Sequence, residues 1–310
     1  MPVLAALPEK IARNSPPQAR SGRGYVWTAT FLGSGLLEIV SHQFGLKAGI
    51  WLPLAETFCL LGLAMVAAKF CAIKNLAGFI LAIAAMNFGW LVVVPLLETS
   101  QIIQAISNNL GWPGRFFLGR AIRTVGAFLM ILTLAGSNIG PRELFLRLGN
   151  WRAPVQTESF LHFRRPIPWG LFAAFLSLLF AVASALFLFF TLHPQIPHLS
   201  YLVSLLPLAV ATSALNAANE EFQFRSVLLA RLKGVIPLKE TFLVIAVVFG
   251  VGHYFGQPSG WTGVLMAGVA AWVWAKSMVE TRGFACAFMI HFVEDLVLFG
   301  FLAGSSAASA

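Results

Sequence analysis

Asn219-Glu220-Glu221-Phe222-Gln223-Phe224-Arg225 is the stretch that decides how this chain folds. It lies inside an apolar run from Leu199 to Leu232 that fits only a membrane helix or a deeply buried one. Each charge at the centre of a bilayer costs about 2.5–3.5 kcal/mol on insertion scales, so two carboxylates and a guanidinium held there mark a site. Helical spacing divides them. Glu221 and Arg225, four apart, share a face and can pair, and Asn216 shares the face of Glu220. Glu220 itself lies about 100° round the helix from Glu221. The expectation is one ion pair that braces the helix and one carboxylate left for chemistry.

Composition sets the class. Of 310 residues, 58% are hydrophobic and 11% charged, and mean hydropathy is +0.80. Soluble domains carry about 25% charged residues, so the chain reads as a polytopic membrane protein. Its net charge of +9 fits basic cytoplasmic loops. No solvated basic face is long enough for nucleic acid, and none is expected as a partner. Membrane lipids are. Cys59, Cys71 and Cys286 lie in or beside apolar runs without a Cys-x-x-Cys pairing and read as core residues.

The expected fold is all-α, a membrane bundle of about nine transmembrane helices. Apolar runs of spanning length cover 25–44, 51–68, 75–97, 121–139, 168–192, 199–231, 240–256, 261–279 and 283–302. The chain thus divides into a cytoplasmic N-terminal tail (1–24), N-terminal membrane helices (25–139), a cytoplasmic loop (140–167), C-terminal membrane helices (168–302, with a core at about 200–300) and a short tail (303–310). Within the loop, Arg142 to Leu148 suggests a short helix on the membrane surface. With the N-terminus inside, sixteen of the 21 Lys and Arg residues fall on inside segments and four outside. That split predicts a cytoplasmic N-terminus, and the membrane expected is the plasma (inner) membrane. The outer end of the fourth run goes against it, carrying Arg115, Arg120 and Arg123. Trp27, Trp51, Trp112, Trp169 and Trp261 fall at expected interfaces. Gly263, Ala267, Ala271 and Ala275 form a smooth stripe suited to close helix packing. Glu38 with His42, and Glu56, read as helix-contact residues.

The chemistry collects in the later runs. His253 follows Phe249 by four, and Asp295 follows His291 by four, so each pair shares a helical face. At 1.5 Å per residue, Glu220, His253, His291 and Asp295 lie about 14–21 Å from the nearest expected cytoplasmic loop. Three helices thus deliver two acids and two imidazoles to one layer inside a hydrocarbon core about 30 Å thick. That is the pattern of a catalytic pocket. Glu220 with His253 could hold and deprotonate a water, and His291 with Asp295 could orient or stabilise an oxyanion. Glu220, His253 and His291 are equally ordinary zinc ligands. His-Glu-x-x-His and Gly-x-Ser-x-Gly are missing, and Asp295 is the single aspartate, which removes several rival peptidase mechanisms.

Glu220-Glu221-x-x-x-Arg225, Phe249-x-x-x-His253 and His291-x-x-x-Asp295, in that order, resemble the CPBP family of CAAX prenyl endopeptidases and bacteriocin-processing enzymes, also called the ABI domain. The resemblance covers roughly 200–300 and implies an intramembrane endopeptidase, of glutamate or metallopeptidase type, acting on a membrane peptide or lipidated protein. By matching positions, Glu220 and His253 would activate water, and His291 and Asp295 would fill the oxyanion-side positions. Glu221, Arg225 and Phe249 would support them. Ser226 stands where the family often has Gly, and Asp295 where Asn is common; Glu294 adds a further acid within reach of His291. Two other readings fit the same residues: a non-catalytic immunity or scaffold protein on this fold, or a transporter.

Overall fold

A computed structural model of the chain describes residues 18–47, 49–70, 74–158, 165–192 and 199–307. Every regular element among them is helical. The N-terminal part comprises α1 (Gln18–Gly33), α2 (Leu36–Gln43), α3 (Trp51–Phe70), α4 (Lys74–Asn87), α5 (Val94–Glu98), α6 (Gln101–Asn108), α7 (Trp112–Ile122) and α8 (Thr124–Thr133). The C-terminal part comprises α9 (Trp169–Leu192), α10 (Leu199–Glu221), α11 (Leu228–Leu232), α12 (Leu238–Gly252), α13 (Gly260–Thr281) and α14 (Ala285–Ala307). The outer faces carry exposed Phe58, Phe70, Leu171, Leu178, Phe190 and Leu265, as lipid-facing helices require.

Six helical stretches among the described residues are long and apolar enough to cross a membrane: 51–70, 75–98, 112–133, 169–191, 260–281 and 285–303. Three expected spans look different. The first is broken into α1 and α2 at Gly35, whose φ of 84° is left-handed. The sixth, 199–232, is continuously helical but carries Glu220, Glu221, Arg225 and Arg231. The seventh, α12, has only 15 residues. The fourth span runs from Trp112 to Thr133 rather than over 121–139, so Arg115, Arg120 and Arg123 sit within it instead of beyond its end.

Two π-helical turns face each other at the centre. One, Phe88–Val93, joins α4 to α5; the other, Phe222–Val227, joins α10 to α11. Such turns are rare and gather at functional sites. Trp90 Nε1 donates to Gln223 Oε1 at 2.9 Å, and Trp90 stands edge-on to Phe224 at 5.7 Å. Gly126 of α8 lets this contact form. A methyl added there would collide with Gln223 and come 2.9 Å from Trp90 Nε1. Gly126→Ala is expected to cost about 1–3 kcal/mol, read as a lowered melting temperature in detergent.

The α13 stripe behaves as the small residues suggest. Gly263, Ala271 and Ala275 are buried, and α13 packs against α12 and α14. A methyl on Gly250 would stand 3.1 Å from Gly268 Cα. Other expectations are corrected. Residues 141–145 form turns, with Phe145 at φ 57°, and no helix follows them to 148. The backbone just after them is instead used in docking: Asn150 N donates to Thr281 O at 2.7 Å and Phe284 N to Arg147 O at 2.8 Å. Trp169 is fully buried and donates to Glu280 at 2.8 Å, whereas Trp51 and Trp261 are exposed. Cys286 is buried, but Cys59 lies on the outer surface and not in the core. Cys71, most of the N-terminal tail and the last three residues lie outside the described residues.

Glu158 fastens the loop to the bundle through Lys239 at 3.0 Å and Lys276 at 3.1 Å. Burial pushes its carboxyl upward, but the two ammonium groups outweigh that and hold it below the usual range. A lowered carboxyl stabilises the fold above the unfolded-state value, about 4.3, and that contribution is lost as pH falls through the folded value. Glu158→Gln should therefore destabilise at pH 7, by about 1 kcal/mol or less because Lys276 keeps Glu280 at 2.5 Å. Melting curves should show the difference vanishing at acid pH.

Candidate active site

Glu220 and Glu221 end α10 immediately before the second π turn. Residues on separate α-helical faces would look different ways, yet both carboxylates meet one ring. His291 from α14 sits between them: Nδ1 is 2.8 Å from Glu221 Oε1, and Nε2 is 3.6 Å from Glu220 Oε2. The ring is itself braced, stacked on Trp274 of α13 at 4.3 Å and 11°.

Glu221 forms the expected pair with Arg225, at 3.1 Å, and both side chains are wholly buried. Arg225 lies between two rings, its Cζ 3.8 Å from the Phe249 centroid and 4.6 Å from that of Trp274. Flat cationic faces on aromatic rings partly replace lost hydration. Arg225, Glu221 and His291 thus form one chain of charge-assisted contacts in which Phe249 is a packing wall.

His253 caps the C-terminus of α12. Its Nδ1 stands 2.8 Å from the carbonyl of Phe249, and its ring lies 4.2 Å from the Phe249 ring. Donating Nδ1–H to that carbonyl fixes the tautomer, leaving Nε2 with a lone pair when the ring is neutral. Asp295, one turn after His291, has Oδ2 3.7 Å from His291 Nε2 and accepts from Asn216 Nδ2 at 3.0 Å.

Glu220, His253, His291 and Asp295 line one cavity of about 550 Å³. Phe249, Asn216 and Glu294 also border it, whereas Glu221 and Arg225 sit behind its wall. The far wall comes from the N-terminal helices. Arg120 and Arg123 of α7 and its end, Trp90 of the first π turn, Asn87 of α4 and Glu38 of α2 all reach it. Of these, spacing flagged the arginines only as an anomaly and gave no sign of Trp90. Glu38, expected as a helix contact, lines the cavity; Glu56 is buried and accepts from Asn87 Nδ2 at 3.0 Å. His42 packs edge-on to Phe255 at 5.4 Å.

As metal ligands the side chains fit poorly. No group of three His, Cys, Asp or Glu side chains among the described residues is arranged to hold a metal ion, and this includes Glu220, His253 and His291. His291 directs one nitrogen to Glu221 and the other towards two carboxylates, and His253 has one nitrogen on a backbone carbonyl.

Residues 202–297 match a family model described as type II CAAX prenyl endopeptidase, Rce1-like. The match takes in all three sequence motifs and agrees with the CPBP resemblance. It leaves out residues 1–201, and with them the far wall of the cavity. No curated protein and no solved structure matches the chain.

Proposed function

We propose, from the Rce1-like match of residues 202–297, that this integral membrane protein is an intramembrane endopeptidase in which Glu220 and His253 activate water against a peptide bond. One observation carries the reading: a buried carboxylate and an imidazole with its Nε2 lone pair free border the same cavity within an apolar bundle.

A water held between Glu220 and His253 Nε2 loses its proton to Glu220 as its oxygen adds to the carbonyl carbon. The carbonyl π pair moves to oxygen and forms the tetrahedral oxyanion. Collapse expels the amine, which takes up the proton held by Glu220. His291 acts on Glu220, its ring fixed by Glu221 and by Trp274. Asp295, fixed by Asn216, faces the other side of His291 Nε2. Among the described residues no three donors are arranged for a metal. The family description supports a peptide or prenylated protein as substrate. The basic loop distribution supports a cytoplasmic N-terminus.

Purified protein in nanodiscs, incubated with prenylated and unprenylated membrane peptides, tests the reading. Mass spectrometry should find a defined internal cut, absent with His253→Ala. Turnover that survives unchanged in both Glu220→Ala and His253→Ala would overturn it.

A further inference from the structure

The cavity contains a Glu–His pair to make a nucleophile, but for the negative charge that follows its Rce1-like segment offers only His291 Nε2, which is drawn towards two carboxylates at 3.6 and 3.7 Å. Asn216 is neutral and gives one N–H to Asp295, and Asp295 as a carboxylate has nothing to donate. His291 directs Nδ1 to Glu221, and its Nε2 faces Glu220 and Asp295. His253 commits Nδ1 to Phe249, and its neutral Nε2 is an acceptor. Arg225 is fully buried behind the wall and paired to Glu221.

Two guanidinium groups remain on the cavity, Arg120 and Arg123, and both come from outside the family match. Among the described residues neither has an ion-pair partner within 4 Å. They differ in setting. Arg123 has its Nε enclosed without a partner and lies over Trp90, 5.4 Å from the ring centroid. Arg120 lies over Phe116 at 4.7 Å, which backs one face of the guanidinium, and among the described residues no hydrogen bond takes up its N–H edge. It lines the cavity together with Glu220 and Asp295, where the carbonyl must lie.

Resting on the endopeptidase reading, we propose that Arg120 is a catalytic residue of this site: its guanidinium edge receives the substrate carbonyl oxygen and pairs with the oxyanion formed when water adds. The electron pair that leaves the C=O bond comes to rest on an oxygen facing Arg120, and it returns to carbon as the C–N bond breaks. No proton passes through Arg120, which stays charged throughout. A fixed cation aimed at developing charge acts more strongly in the transition state than in the ground state, so its removal should be read in kcat.

The test measures kcat and KM on the peptide that wild-type protein cleaves, for Arg120→Gln, Arg120→Lys, Arg123→Gln and Glu220→Gln, with melting temperatures for each. Arg120→Gln should lose about 100-fold in kcat with KM within about 3-fold of wild type and an unchanged melting temperature. Arg120→Lys should recover at least about tenfold of that loss, because it restores the charge. Arg123→Gln should lose less than about 5-fold in kcat. An Arg120→Gln enzyme within about 3-fold of wild-type kcat would overturn the assignment. So would a loss confined to KM, or a loss that lysine fails to recover and that follows a lowered melting temperature. Undiminished turnover by Glu220→Gln would instead sink the endopeptidase reading itself.

Discussion

Glu220→Gln should reduce kcat for peptide cleavage by about 100- to 10,000-fold, the range supplied by a positioned general base. Glutamine keeps the shape and length of the side chain but cannot take a proton from water. The bound peptide meets the same cavity, so KM should change little. Folding should also be preserved, because Glu220 makes no contact as short as the one between Glu221 and His291. Glu221→Gln makes the informative comparison. It weakens the group that fixes His291 Nδ1, so its loss of rate should come with a loss of stability that Glu220→Gln does not share. Single-turnover assays beside thermal melts separate the two, and a Glu220→Gln enzyme within about 2-fold of wild type would remove Glu220 from the role of base.

Arg225→Ala should produce the largest stability loss in the molecule. Removing one member of a buried ion pair leaves an uncompensated charge and costs about 3–5 kcal/mol. Here Glu221 would be left buried beside His291, and the space between Phe249 and Trp274 would empty. A melting temperature lower by on the order of 10 °C is expected in detergent. Arg225→Lys should fall well short of rescue, since an ammonium lacks the flat faces that rest on the two rings. Removing both charges in Glu221→Gln/Arg225→Met should recover part of the loss, because no lone charge then remains in the dry interior. A melting temperature within a degree of wild type in Arg225→Ala would show the pair to be structurally idle.

The helical class was legible in the sequence because the apolar runs are long and rarely interrupted. Beside the expected nine, six stretches among the described residues are long and apolar enough to cross. Hydropathy does not register the left-handed Gly35 that divides the first run, or the brevity of α12. The fourth span was displaced for an electrostatic reason. Three arginines look like the end of a membrane helix, yet Arg120 and Arg123 line an internal cavity that a hydropathy window does not distinguish from lipid. The pairings within one helix were readable from spacing of four: Glu221 with Arg225, and His291 near Asp295. Those between helices were not. No local pattern indicates that Trp90 meets Gln223, or that Glu221 holds His291 more closely than it holds Arg225.

The two opposed π turns have a consequence for how this protein can be recombined. Trp90 and Gln223 each belong to a widened coil and meet across it, with Gly89 and Gly126 leaving room between them. The C-terminal third is therefore a key cut to a lock in the first half. A segment grafted after residue 201 without an acceptor at position 223 would leave the Trp90 indole N–H without its partner. A working hybrid would have to exchange the stretch from Gly89 to Gly126 together with the stretch from Asn219 to Val227, as one unit.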